Sequence, residues 1–450
     1  MSDRNELEAR ADKPSAEAMR LHRYYRGKIQ TTSKCAIRSL DDLSIWYSPG
    51  VAAPCLAINE DPGLIYDLTN KGNTVAVVSD GTRVLGLGDI GAEAAMPVME
   101  GKALLFKYLG GVDAAPICLK TKSADDIIQA VRLIQPCYGG INLEDIAQPK
   151  CFKVLDTLRA DPDVTIPVFH DDQQGTATVL LAGLLNALKI TGRELQNIRI
   201  ALIGMGAANV ATLRLLLASG VSMGQIVACD SRGILHRERE DVRESQADFP
   251  DKWRLCQESN VDDLRGGIAE AMRGADVCIA LAKPGPGTIK PEWVAGMARD
   301  SIVFPCSNPV PEIWPWEAKE AGARIVGTGR SDFPNQLNNS LGFPAIFRGA
   351  LDVRARSISD EMCLAAADAI ARYGEELGLD DEHIVPSMSD SEVYPREAIA
   401  VGMKAIGQGL AGITMTRDEL EARVNEKIKE GRELIDLMMR EGAIAPVPEE

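Results

Sequence analysis

Hydrophobic positions follow two different patterns along this chain. From about residue 21 to 160, short apolar runs such as Val75-Ala76-Val77-Val78 mix with helical stretches such as Asp125 to Ile134. Asp161-Pro162-Asp163 then reads as a turn and a domain boundary. Beyond it come Ile166 to Phe169, Ile198 to Ile203, Gln225 to Cys229, Val277 to Leu281, Ile302 to Pro305 and Arg324 to Val326. These short apolar runs are separated by longer segments, several of them helical. Parallel strands need a crossover between them, usually a helix, so this alternation predicts a doubly wound parallel sheet. From Pro344 the pattern is mainly helical and ends in the charged amphipathic stretch Thr416 to Met439, while residues 1 to about 20 read as a polar, frayed helix. The expected class is α/β: a mixed unit at 1–162, a Rossmann-like unit at 163–390 and C-terminal helices at 391–450.

Composition narrows the function classes. At 450 residues the chain is too long for one ordinary core, and 45% hydrophobic with 25% charged residues fits a globular protein in water. A formal charge of -16 disfavours nucleic acid as a partner, because phosphates would be repelled. Ten cysteines are scattered without a CxxC pair or Cys/His cluster, so reduced thiols in a cytoplasm are expected, with neither a disulfide scaffold nor a zinc site. Met1 to Lys13 is charged throughout and lacks the apolar core of a secretory signal. No run of eighteen apolar residues is available to cross a bilayer.

Two glycine motifs compete for a dinucleotide. Gly86-Leu87-Gly88-Asp89-Ile90-Gly91 matches GxGxxG in full, whereas Gly204-Met205-Gly206-Ala207-Ala208-Asn209 lacks the third glycine. Context favours the second. It follows the strand Ile198 to Ile203, opens a helix from Asn209 to Ser219, and precedes a strand ending at Asp230, where an acid would bind the adenosine ribose. The pyrophosphate is then expected on Gly204, Met205, Gly206, Ala207 and Ala208, at the helix N-terminus. The Gly86 loop reads as close packing beside the chemistry, or as an ordinary glycine turn. Asp230 favours NAD and opposes the 2′-phosphate of NADP; Arg232, two positions on, favours NADP. The weight lies with NAD, with dual use open.

Two acidic pairs stand at the ends of apolar runs: Glu144-Asp145 after Ile141 to Leu143, and Asp171-Asp172 within Phe169-His170-Asp171-Asp172-Gln173-Gln174-Gly175-Thr176. Carboxylates there lose hydration, which is costly without a compensating cation. Brought together they would make hard oxygen ligands for Mg2+ or Mn2+. Taken singly, each reads more readily as an acidic helix start. His170 touches this segment and reads as a neighbour of the ligands; His22, His236 and His383 read as surface residues.

Taken together, these segments resemble the malic enzyme family in its compact bacterial form. The resemblance is carried by Tyr47-Ser48-Pro49-Gly50-Val51-Ala52-Ala53-Pro54, Gly81 to Gly88, Met96-Pro97-Val98-Met99-Glu100-Gly101-Lys102, Gly140 to Asp145, Phe169 to Thr176, Ser307-Asn308-Pro309 and Thr328 to Asn339. They run in the family's order from about residue 25 to 355.

The resemblance implies oxidation of (S)-malate and decarboxylation to pyruvate and CO2, with reduction of NAD or NADP. It implies Glu144, Asp145 and Asp172 as metal ligands and Asp171 as the neighbour that interacts with the base. Lys102 matches the general base and a substrate contact, and Tyr47 matches the acid that protonates C3. Arg83 matches a substrate-carboxylate partner, and Asn308 and Asn339 match substrate contacts, Asn308 also a cofactor contact. A lysine base needs its pKa lowered by burial or a nearby cation. The expected partners are malate and pyruvate alone, with no nucleic acid and no membrane, in a homo-oligomer, a dimer or larger. Malolactic conversion with a retained cofactor, and a dinucleotide-sensing module without catalysis, are the alternatives.

Overall fold

The computed structural model describes residues 17–449, so most of the helix expected over residues 1 to 20 lies outside the described residues. Two sheets organise the rest. The first has β1 (Thr74–Ser79), β2 (Asp113–Cys118), β3 (Gly140–Leu143) and β4 (Val168–His170), ordered β2-β1-β3-β4 and parallel throughout. The second has β5 (Ile200–Ile203), β6 (Ile226–Asp230), β7 (Gly233–Ile234), β8 (Val277–Ala280), β9 (Ser301–Pro305) and β10 (Ala323–Val326), ordered β10-β9-β8-β5-β6-β7. Only β7 runs antiparallel to its neighbour. Val75 to Val78 and Ile200 to Leu202 are fully buried. Unbroken burial is why these strands read as continuous apolar runs rather than alternating ones.

One expectation is corrected here. The run Ile166 to Phe169 belongs to the first sheet, where Phe169 pairs with Asn142 and His170 with Leu143. The turn at Asp161-Pro162-Asp163 therefore lies inside the first unit instead of closing it. Periodicity identifies a buried strand but does not say which sheet it joins. The consequence matters for chemistry, because the ends of β3 and β4 now lie side by side.

The longer helices are α1 (Ala52–Glu60), α2 (Ala92–Gly110), α3 (Ala124–Ile134), α4 (Lys150–Ala160), α5 (Thr176–Thr191), α6 (Ala207–Ala218), α7 (Pro250–Glu258), α8 (Phe343–Asp352), α9 (Asp360–Leu377), α10 (Val393–Gly407) and α11 (Arg417–Arg440). Thr416 caps α11, its hydroxyl accepting from the Glu419 N–H while Glu419 reaches back, so the expected helical stretch starts where its capping signal stands. The C-terminal helices are not a separate layer: α10 packs on α8 and α9, and α11 on α2 and α10. A Cβ at Gly431 would stand 2.9 Å from Gly111 Cα, so only glycine lets α11 approach the end of α2 this closely.

Beneath the site Phe106 meets Phe343 and Phe347 edge-on, with centroids 4.7 and 5.3 Å apart, and Phe347 meets Phe169 at 5.6 Å. This aromatic contact locks α2 and α8 against β4. Next to it Arg348, 1% exposed, holds Asp352 through two hydrogen bonds of 2.8 and 2.6 Å, and also donates to Asn73 Oδ1 at 2.6 Å. Removing one member leaves a buried charge uncompensated. Asp352→Ala is accordingly expected to destabilise the fold by about 3–5 kcal/mol, read as a drop in the denaturant midpoint. A change under 1 kcal/mol, roughly that of a surface pair, would contradict this role.

Candidate active site

Parallel strands present their carboxyl ends on one edge, where open α/β sheets place ligands. At that edge β3 leads into Glu144 and Asp145, and β4 into a π-turn at Asp171–Gly175. The wide turn lets two successive acids, Asp171 and Asp172, leave the strand end before α5 begins, and such turns recur at functional sites. A methyl group on Gly175 would overlap Asp171 Oδ1 as it stands, so glycine here leaves that carboxylate its place. Asp145 has φ 54°, a left-handed conformation held by the Asp145 N–H donating to Asp172 Oδ2 at 2.7 Å and by the Arg83 N–H donating to the Asp145 carbonyl at 3.0 Å.

Oxygens of Glu144, Asp145 and Asp172 lie within 4.8 Å of one another. Opposed ligands on one Mg2+ stand about 4.2 Å apart at the usual bond length of about 2.1 Å, so a small contraction closes the group on a cation. Asp145 Oδ2 is buried without a hydrogen-bond partner among the described residues. Asn142 Nδ2 donates to Glu144 Oε2 at 2.8 Å and aims that carboxylate. Burial, reinforced by Asp172 and Glu144, pushes the Asp145 carboxyl up to about 9, and burial also raises Glu144 and Asp171. Such upward shifts mark excess negative charge in a dry place, which a divalent cation relieves. The donor set therefore fits Mg2+ or Mn2+. His170, fully buried, is drawn down to about 4 by that burial and stays neutral beside the cluster.

Lys102 projects from α2 into this group. Its ammonium lies 2.5 Å from Asp171 Oδ2, 3.0 Å from Glu144 Oε1 and 4.3 Å from the centre of the Phe343 ring. Burial alone would lower its pKa, but Asp171 and Glu144 outweigh burial and raise it. The lowered value a lysine base needs is not the state of this arrangement without a cation. Asn339 sits beside the same turn, its Cβ 3.5 Å from where a Cβ on Gly175 would be. Arg83 is exposed at the cluster's edge, where its charge is felt by Asp172.

Tyr47 is not brought into hydrogen-bonding reach of these groups. It is 74% exposed, at the end of a short helix, Leu43–Trp46, that packs chiefly on the turn before it. Asn308 is half-buried in the loop after β9, where a Cβ on Gly86 would meet its carbonyl oxygen at 2.6 Å. The Gly86 loop is therefore close packing against the Asn308-Pro309 turn, as expected for the motif not chosen for the dinucleotide.

The chosen loop has the required form. Gly204 has φ +85°, and a Cβ there would stand 2.6 Å from the Leu281 carbonyl oxygen. At Gly206 nothing lies within 4 Å of a Cβ position, which leaves room for a pyrophosphate above the N-terminus of α6. Met205 is buried beneath, while Ala207 and Ala208 remain partly accessible. Asn209 replaces the third glycine with hydrogen bonds to the Ile203 and Gly204 carbonyls at 3.0 and 2.6 Å, stitching the turn to β5. The loop lies where β5 is flanked by β6 on one side and β8 on the other, the topological switch point.

Two contributors escaped the sequence reading. Glu312, fully buried, accepts from the Ala282 N–H at 2.7 Å, the Ser307 hydroxyl at 2.6 Å and the Ser307 N–H at 3.2 Å, and so fixes the loop carrying Asn308. Its signal, an acid in the proline-rich run after Asn308, was available. Arg239, which grips Asp230, had none, since it lies nine positions further along the chain, beyond β7.

Comparison with known proteins agrees with this geometry. Residues 26–125 match the model of the malic enzyme N-terminal domain, and residues 173–406 that of the malic enzyme NAD-binding domain. The chain is 53% identical over 385 residues to an NAD-dependent malic enzyme of Geobacillus stearothermophilus, covering 86% of this chain and 78% of that one. It is 48% identical to a bifunctional malic/malolactic enzyme of Bacillus subtilis, covering 91% and 97%. The crystal structure of Entamoeba histolytica malic enzyme superposes with a TM-score of 0.95 at 46% identity, covering 99% of this chain and 92% of that one. With both of its sheets, its acidic cluster and its dinucleotide loop in place, the chain belongs to the malic enzyme family.

Proposed function

We propose that the cluster around Lys102 carries out NAD(P)-dependent oxidation of (S)-malate and decarboxylation to pyruvate and CO2. The observation that carries this reading is one ammonium held between two carboxylates, Asp171 and Glu144, beside a three-carboxylate group fit for a divalent cation. Glu144, Asp145 and Asp172 would hold the metal, which when bound would supply Lewis-acid polarisation of a substrate oxygen. Lys102, lying between Glu144 and Asp171, takes the C2 hydroxyl proton. Asp171 keeps that amine in place. Arg83 pairs with a substrate carboxylate through its planar fork, while Asn339 and Asn308 orient substrate, and Asn308 the nicotinamide end. The pyrophosphate rests on Gly204 to Ala208, with Asp230 and Arg232 at the adenosine ribose.

Tyr47 protonates C3 of the enol product. It does so within a homo-oligomer, a reading supported by Leu40, Leu43, Ile45, Trp46, Val51 and Leu56, which flank it in the chain and are also exposed. Assembly through this face removes Tyr47 from bulk water, where a phenol has no means of selecting C3. All ten cysteines are unpaired, which supports a cytoplasmic location. Among the described residues no helix is long and apolar enough to cross a membrane.

The malolactic reading has one observation in its favour, the bifunctional Bacillus subtilis relative. Both readings use the same acids. Absorbance at the nicotinamide wavelength with malate, Mn2+ and each cofactor, together with product identification, separates them. Accumulating reduced cofactor with pyruvate is expected; lactate without accumulation would favour the alternative, and no turnover with either cofactor would overturn both.

A further inference from the structure

At the end of β6 the Asp230 carboxylate is already occupied. Its Oδ1 accepts from the Arg232 N–H at 2.9 Å and from Arg239 Nη1 and Nη2 at 3.1 Å each, and its Oδ2 accepts from Arg239 Nη2 at 3.0 Å. The same guanidinium holds Asp241, Nε to Oδ1 at 2.7 Å and Nη2 to Oδ2 at 2.8 Å. Arg239 is buried, 8% exposed, and the Asp230 side chain is 11% exposed. An acid gripped in this way is poorly placed to accept two ribose hydroxyls, since turning toward them would strip a buried guanidinium of one of its two counterions. It is also a weak source of repulsion, because the positive charge lies against it.

The charges left facing outward are cationic. Arg232 projects into water, its side chain 70% exposed, with one contact to Asp241 at 3.1 Å. From α7, Lys252 reaches the same place with its ammonium 4.6 Å from the centre of the Phe249 ring and no ion pair or hydrogen bond among the described residues. Burial holds its pKa below the usual lysine range. Together with Asp230, Ser231, Asp241 and Ser245 these two side chains line a cavity of about 470 Å³; Glu244, exposed at the rim, is the one acid there without an arginine partner among the described residues. The two carboxylates that line this wall beside the ribose position share Arg239, and Asp241 also contacts Arg232, whereas Lys252 has no direct ion pair among the described residues.

We infer that this cavity takes the 2′-phosphate of NADP, bound by Lys252 and Arg232 while Arg239 masks Asp230, so that the chain selects NADP over NAD. The inference rests on the dinucleotide site described under Proposed function, and it reverses the weight that the sequence placed on Asp230. A phosphate dianion gains charge-assisted hydrogen bonds from the two cations and a further one from the Ser231 hydroxyl, where the bare 2′-hydroxyl of NAD leaves Lys252 unpaired.

Binding of cofactor fragments tests this apart from catalysis. Calorimetric titration of the full chain with adenosine 2′,5′-bisphosphate and with 5′-AMP, at about 0.1 M salt, is expected to show the bisphosphate bound at least about tenfold more tightly. Lys252→Ala and Arg232→Ala should each remove most of that difference, and raising the salt to about 0.5 M should erode it through screening. Equal or tighter binding of 5′-AMP would overturn the inference, as would a Lys252→Ala variant that weakens both fragments alike. Malate oxidation is scored separately with both cofactors. A higher kcat/KM with NAD sinks the selectivity alone, whereas bisphosphate selectivity without turnover on either cofactor sinks the catalytic reading and spares the cavity.

Discussion

Lys102→Ala is expected to lower kcat for malate oxidation by about 10²–10⁴-fold, the range for loss of a positioned general base. The structure also predicts how the variant differs from a merely damaged protein. Lys102 competes with a cation for Glu144 and is the hydrogen-bond partner of Asp171. Its removal leaves two buried carboxylates short of positive charge, so Mn2+ should bind the variant at least as tightly as it binds the wild type. Thermal stability without metal should fall, and added Mn2+ should restore a larger share of it than in the wild type. Kinetics at saturating malate and Mn2+, paired with a metal titration, read both effects. A loss in kcat below tenfold, with saturation confirmed, would remove Lys102 from the role of base.

Tyr47→Phe is expected to cut overall turnover by a comparable factor, about 10²–10⁴-fold, while sparing the first half of the reaction. Proton delivery to C3 follows hydride transfer, so a single turnover should still give a burst of reduced cofactor on addition of malate. Release of pyruvate should then lag. Because Tyr47 is 74% exposed and makes no hydrogen bond to the cluster, the effect also reports assembly. Dilution below the dissociation constant of the proposed oligomer should reproduce the slow pyruvate step in the wild-type chain. Full turnover by Tyr47→Phe would show that another group, or water, protonates C3. Absence of the burst would place Tyr47 at an earlier step.

The sequence was legible where burial leaves a periodic trace. Each run assigned as a strand is one, within two residues at either end, because strands covered on both faces consist of unbroken apolar residues. The amphipathic helix over Thr416 to Met439 was legible through its capping pair, Thr416 and Glu419. Membership of β4 in the first sheet was not, since pairing is decided by tertiary packing of Phe169 against Phe347 and leaves no local mark. Nor was the two-residue strand β7, too short to show a period.

At the site, Glu144-Asp145 and Asp171-Asp172 were singled out as acidic pairs ending apolar runs and Lys102 through family resemblance, and they come together as a physical group. Their common feature, acids following apolar runs, is visible in the sequence; the lysine is not distinguishable from a surface residue until α2 lays it between Asp171 and Glu144. The reverse holds at the adenosine ribose. Asp230 is conspicuous from sequence, yet the residue that governs its charge, Arg239, comes from the loop beyond β7 and is visible only in three dimensions.

The central claim is that malate chemistry depends on a divalent cation held by Glu144, Asp145 and Asp172. The most direct measurement is a Mn2+ titration by electron paramagnetic resonance, followed by turnover in the same samples, for the wild type and Asp172→Asn. The substitution removes one formal charge, while an amide oxygen can still accept from the Asp145 N–H, so the fold is expected to survive. The account predicts one tightly bound Mn2+ per wild-type chain, activity rising in step with its occupancy and vanishing in chelator. For Asp172→Asn it predicts a loss of affinity exceeding the roughly 10–100-fold typical when only a ligand's supporting partner is removed. Wild-type Mn2+ affinity in Asp172→Asn, or full turnover in metal-free enzyme, would contradict it.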